Sequence, residues 1–123
     1  MHFSLMTMNP QPLHIDHEFA AQSEWGKPLV NSLFTLGLLI GMTVGDTTQG
    51  TTLGNLGMTD VRFPKPVFEG DTLHAKTSVI AVRPSQSRPG QGIVTLRHEM
   101  LNQDAEMVAT CDRAALMLGR PDA

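Results

Sequence analysis

Leu33-Phe34-Thr35-Leu36-Gly37-Leu38-Leu39-Ile40-Gly41-Met42-Thr43-Val44 is the longest apolar stretch in the chain. Leu33, Leu36, Ile40 and Val44 fall at helical spacings, while Phe34, Leu38 and Leu39 put apolar groups on other faces. The pattern predicts one main helix, from Leu29 to about Val44, buried nearly all round. Asn31 or Ser32 offers its N-cap, since either side chain can accept from a free N–H of the first turn. With interruptions at Thr35, Gly37, Gly41 and Thr43 the stretch falls short of the roughly 20 apolar residues that cross a bilayer, which argues against a membrane span. After Gly45 no helical period returns. Four stretches instead carry β-branched or alternating residues: about Leu53 to Phe63, Thr72 to Val82, Ile93 to Asn102 and Met107 to Leu118. Pro64, Pro66, Glu69-Gly70-Asp71, Pro89-Gly90-Gln91-Gly92 and Asn102 to Ala105 supply the turns between them. In the third stretch Val94, Leu96, His98 and Met100 face one way, while Thr95, Arg97 and Glu99 face the other. One long apolar helix followed by an antiparallel meander with a wet face predicts an α+β fold in which the sheet wraps the helix.

Ahead of the helix, Pro10 and Pro12 predict an extended, kinked opening from Met1 to His14. Asp16 is placed to cap a short helix over His17 to Gln22, closed by Gly26 and Pro28. The chain has 123 residues, which predicts a single domain over 1–123. Nine Lys plus Arg against twelve Asp plus Glu give a net charge of −3 with no basic run, so nucleic acid is not an expected partner. Cys111 stands alone, which excludes an intrachain disulfide, and the first residues lack the charged and apolar sections of a secretory signal; a cytoplasmic protein is expected.

The densest polar cluster is Asn9-Pro10-Gln11-Pro12-Leu13-His14-Ile15-Asp16. The prolines stiffen a path that can hold Asn9 and His14 toward one cleft, and histidine is the commonest general acid or base. A lone histidine is more often a packing or capping group, so this cluster alone leaves both roles open for His14. His74 and His98 read as packing or surface residues on strands, and no spacing of Cys, His or carboxylates supports a metal site. Cys111 reads as a small buried side chain, and Asp71 as a turn residue.

Pro12-Leu13-His14-x-Asp16, followed by Phe19-Ala20 and Gly26-Lys27-Pro28-Leu29-Val30-Asn31-Ser32, resembles the hydratase motif of the MaoC-like dehydratases, the (R)-specific enoyl-CoA hydratase group of hot-dog folds. The likeness continues in Phe63-Pro64-Lys65-Pro66-Val67-Phe68-Glu69-Gly70-Asp71-Thr72-Leu73 and in Leu101-Asn102-Gln103-Asp104. Within the family, Thr7-Met8-Asn9, Val30-Asn31-Ser32 and Ser87-Arg88-Pro89-Gly90-x-Gly92 resemble the mesaconyl-CoA hydratase branch. The family motif reads Asp-x-Asn-Pro-x-His, so Asn9 stands where the catalytic Asp is expected and Gln11 where the Asn is expected. Asn9 cannot take a proton, although the mesaconyl-CoA branch resembles this chain in that respect. Family members also carry an N-terminal strand and loop ahead of the motif. Here the motif begins at Asn9, which leaves two alternatives: a misassigned start, or a relative that lacks the family's first strand and exposes a sheet edge.

The resemblance implies a single hot-dog domain and reversible hydration of a short, branched or dicarboxylic 2-enoyl-CoA. Such chemistry needs a base for the water that attacks C3, a proton for C2 and donors for the enolate oxygen. His14 and Asn9 are the implied catalytic pair, His14 deprotonating the water and Asn9 fixing it. Asn31 and Ser32, at the helix N-terminus, are the implied donors to the thioester oxygen, with plain N-capping equally open to them. Lys65, Arg83 and Arg88 are candidates for the coenzyme A phosphates. No cofactor is expected beyond the coenzyme A of the substrate, and the assembly expected is a homodimer or higher homo-oligomer. Two alternatives remain: a non-catalytic acyl-CoA-binding or assembly subunit, favoured by Asn9, and a thioesterase, which would need a carboxylate on the long helix where Leu29 to Gly45 has none.

Overall fold

The computed structural model describes residues 1–120. Helices α1 (His2–Met6), α2 (Pro12–Ile15) and α3 (His17–Ala21) precede the main helix α4 (Ser32–Thr47), which is followed by strands β1 (Thr52–Arg62), β2 (His74–Pro84), β3 (Gln91–Leu101) and β4 (Met107–Leu118). The strands form one antiparallel sheet in the order β1-β4-β3-β2. Strand bounds fall within two residues of those expected, because alternation and turn residues mark them locally. The β3–β4 turn is closed by Asn102, whose Oδ1 accepts from the Asp104 and Glu106 N–H groups, with Ala105 at φ 58°.

Asn31 is the N-cap of α4, its Oδ1 accepting from the Leu33 N–H at 2.9 Å. The helix lies on the sheet through Thr35, Leu39 and Thr43, spaced one turn apart. Leu39 sits in a core with Val67, Met100, Val108, Ala109 and Cys111. The expectation of all-round burial is not met: Leu33 is 61% exposed, and Phe34, Leu38 and Met42 are exposed as well. A four-stranded sheet covers one side of a helix, so the opposite apolar face is left open within one chain.

The opening segment also departs from expectation. It is not extended, since α1 and α2 interrupt it. The reasons are tertiary: the Phe3 ring meets Phe34 edge-on at 5.6 Å, and buried Ser4 accepts from Asn31 Nδ2 at 3.1 Å. Pro12 stands at the start of α2, where its missing N–H costs nothing. Asp16 caps α3 as expected, accepting from Glu18 and Phe19 N–H.

His98 is fully buried on the inner face of β3. Arg113 Nε donates to its Nε2 at 2.9 Å, and Nδ1 lies 2.8 Å from Thr77 Oγ1. Arginine has no acceptor, so Nε2 must be unprotonated and Nδ1 carries the hydrogen toward Thr77. On the outer face, Arg97 pairs with Asp112 through two hydrogen bonds of 2.9 and 3.0 Å.

Candidate active site

His14 occupies the third position of α2 and is half-buried. Its Nδ1 lies 2.7 Å from the Leu29 carbonyl. A carbonyl only accepts, so Nδ1 carries the hydrogen, and in the neutral ring the lone pair is then on Nε2. Leu29 is held from both sides: its N–H donates to the Leu13 carbonyl at 3.0 Å, and it bridges antiparallel to Phe68. Pro28 stiffens the approach to this segment. His14 therefore presents a fixed tautomer from a short helix tied to the strand-like run ahead of α4.

Around it lies a groove of about 650 Å³, lined by Phe3, Ser4, Leu29, Asn31, Phe34 and Glu69 among others. His2 and His17 also reach it. A smaller hollow of about 170 Å³ shares Leu29 and Val30 as its wall and is lined by Trp25, Ser32, Lys65 and Val67. The two hollows meet at the N-terminus of α4. There the Leu33 N–H is taken by Asn31 Oδ1, and the Thr35 N–H by the Asn31 carbonyl at 3.1 Å. Among the described residues the Ser32 and Phe34 N–H groups have no acceptor, which makes this turn suited to an oxyanion.

The site residues named from the sequence are thus partly gathered. His14 and Asn31 line one groove, and Ser32 and Lys65 the hollow beside it. The Asn31 side chain is committed to structure, its Oδ1 capping the helix and its Nδ2 bonded to Ser4. Asn9 is not among the groove-lining residues; its Oδ1 accepts from the Gln11 N–H at 3.3 Å, and its own N–H donates to the Ser4 carbonyl at 2.8 Å. Arg83 lies near the far end of β2 and Arg88 in the β2–β3 turn, at the opposite end of the sheet from the Phe68–Asp71 turn. Within one chain they do not join His14. Nothing in the sequence marks Phe3 or Ser4, while Phe34 reads there only as an apolar helix residue and Glu69 only as part of a turn. Among the described residues no three His, Cys, Asp or Glu side chains gather as a metal site.

The profile described as MaoC like domain matches residues 1–100. The chain belongs to this family of MaoC-like dehydratases. A mesaconyl-CoA hydratase from Cereibacter sphaeroides is 35% identical over 106 residues, covering 86% of this chain and 30% of its own length. The (R)-specific enoyl-CoA hydratase of Aeromonas caviae is 30% identical over 108 residues, 88% of this chain and 75% of that protein. The chain thus spans under a third of the mesaconyl-CoA hydratase it resembles. Among solved structures, one titled a monoamine oxidase regulatory protein from Archaeoglobus fulgius superposes with a TM-score of 0.86 at 32% identity, over 98% of this chain and 80% of its own. A Mycobacterium tuberculosis protein with a double hot-dog fold superposes at 0.84 with 23% identity, over 98% of this chain and 37% of its own. The helix-on-sheet architecture of this MaoC-like chain is the hot-dog fold. Among the described residues no helix is long and apolar enough to cross a membrane.

Proposed function

We propose that this MaoC-like chain is a hydro-lyase that reversibly adds water to a 2-enoyl-CoA, the acyl group being short, branched or dicarboxylic as in mesaconyl-CoA. The observation that carries the reading is the 2.7 Å contact between His14 Nδ1 and the Leu29 carbonyl, which leaves Nε2 as a proton acceptor in the groove. Its support in kinship is the family membership and the likeness to the two hydratases named above.

Hydration proceeds by attack of a water oxygen on C3 as His14 Nε2 takes the proton. The π electrons move onto the thioester, where the unoccupied N–H groups of the first turn of α4 meet the enolate oxygen, and the His14 imidazolium returns a proton to C2. No resident cofactor takes part; coenzyme A enters with the substrate, its phosphates near Lys65 at the rim of the smaller hollow. Loss of the enoyl absorbance on mixing the protein with crotonyl-CoA or mesaconyl-CoA tests the proposal directly. Unchanged absorbance with every enoyl-CoA would remove it, and free thiol release would point to a thioesterase.

A homodimer is part of the same proposal. Leu33, Phe34, Leu38 and Met42 on α4, with Val79 and Val82 on edge strand β2, leave apolar side chains and unpaired backbone uncovered. A second copy supplies matching surface under two-fold symmetry. Sedimentation is expected to give twice the chain mass or more, and a stable monomer at micromolar concentration would refute it.

A further inference from the structure

We propose that Glu69 is the second group that holds the attacking water, in the role the family motif gives to the position of Asn9; this rests on the hydratase reading above. A water with one partner is poorly aimed, and its second hydrogen needs an acceptor fixed relative to the base. Asn9 is absent from the groove lining, and its side-chain oxygen already accepts from Gln11. Glu69 is the one carboxylate among the residues that line the groove with His14.

The backbone ties the two together. His14 Nδ1 is bonded to the Leu29 carbonyl, Leu29 bridges to Phe68, and Glu69 follows Phe68 directly. The neighbouring Val30 N–H donates to the Val67 carbonyl at 2.9 Å, so the register of this pairing is fixed. The turn that carries Glu69 is closed on itself: the Phe68 N–H donates to Asp71 Oδ2 at 2.9 Å and the Asp71 N–H to the Phe68 carbonyl at 3.2 Å, with Gly70 at φ 94° between them. Gln103 braces it from the β3–β4 turn, donating to Asp71 Oδ1 and accepting from the Thr72 N–H. Among the described residues the Glu69 carboxylate has no ion pair or side-chain hydrogen bond, so the turn is built without spending it. His2 and His17 reach the groove as well, but among the described residues neither is hydrogen-bonded or bridged to Leu29, which anchors His14.

In the step, the water O–C3 bond forms as one O–H bond breaks to His14 Nε2, and that proton is delivered to C2. The other O–H persists in the product hydroxyl and is held throughout by the Glu69 carboxylate, which ends the cycle unchanged. The test compares Glu69→Gln and Glu69→Ala with wild type on crotonyl-CoA, folding being checked by circular dichroism. Glu69→Ala is expected to lower kcat by about 10- to 100-fold with KM within a few-fold, and added formate to restore part of it. Glu69→Gln keeps an acceptor oxygen and should fall between the two. A kcat for both variants equal to wild type, with His14→Ala inactive, would overturn the role of Glu69 and leave the hydratase reading standing. A wild-type protein inactive on every enoyl-CoA would remove both.

Discussion

His14→Ala is expected to lower the turnover of enoyl-CoA by roughly 10²–10⁴-fold, the range of a lost general base. The fold should survive. His14 is half-buried at the groove, and the one hydrogen bond its ring makes among the described residues, to the Leu29 carbonyl, contributes about 1 kcal/mol. That carbonyl is left at a solvent-filled groove, where water can replace the lost donor. KM should change little, because the proposed mechanism assigns the thioester oxygen to α4 and the acyl group to the apolar lining, not to the imidazole.

Asn9 supplies the control. Asn9→Ala is expected to cost less than His14→Ala, since its side chain closes a local turn with Gln11 and does not line the groove. Asn9→Asp restores the family residue at a side chain outside the groove lining, so the pH–rate profile should match wild type, and a new acidic limb would return the water-holding role to this position. The measurement is a set of initial rates across pH for wild type and the three variants. Equal activity of His14→Ala and wild type would move the chain to the non-catalytic, acyl-CoA-binding class.

How far the sequence discloses this architecture depends on the range of the cause. The strands and the Asn31 cap are written locally, in alternation, turn residues and a side-chain oxygen two residues ahead of the N–H it accepts from. The α1 helix is not: it has no side-chain cap and only five residues, and it is held by Phe3 on Phe34 and Ser4 on Asn31, partners 27 or more positions away. Composition likewise showed that α4 is apolar on every face but not that one chain covers a single face. Glu69 was hidden for a related reason. Between Phe68 and Gly70-Asp71 it reads as part of a turn, and only the Leu29–Phe68 bridge carries it to His14. His14 itself was legible through the family resemblance, while its tautomer is a property of the Leu29 carbonyl and so of the folded chain.

Stability is expected to fall as the pH drops from about 6.5 toward about 4, with His98 as the main cause in that interval. Burial first, and the Arg113 guanidinium beside it second, push the His98 imidazole down from 6.5 to about 4, against a smaller opposing pull from Asp112. The geometry gives the same direction: protonated Nε2 would turn a donor against the Arg113 Nε–H that it now accepts. The folded state holds His98 neutral, whereas the unfolded chain protonates it once the pH passes below 6.5. The stabilisation is therefore complete above the unfolded value and is lost as pH falls to the folded one, amounting to about 3 kcal/mol at most. Asp112, held below the usual carboxylate range by its hydrogen bonds to Arg97, gives up its contribution only at more acid pH, so the two effects are separable. His98→Gln keeps an acceptor for Arg113 without a titrating ring. Denaturant unfolding at one fixed chain concentration, followed through Trp25, should then show a flatter dependence between pH 6.5 and 4 for the variant than for wild type. Identical slopes for the two proteins would show that the buried imidazole does not set this acid sensitivity.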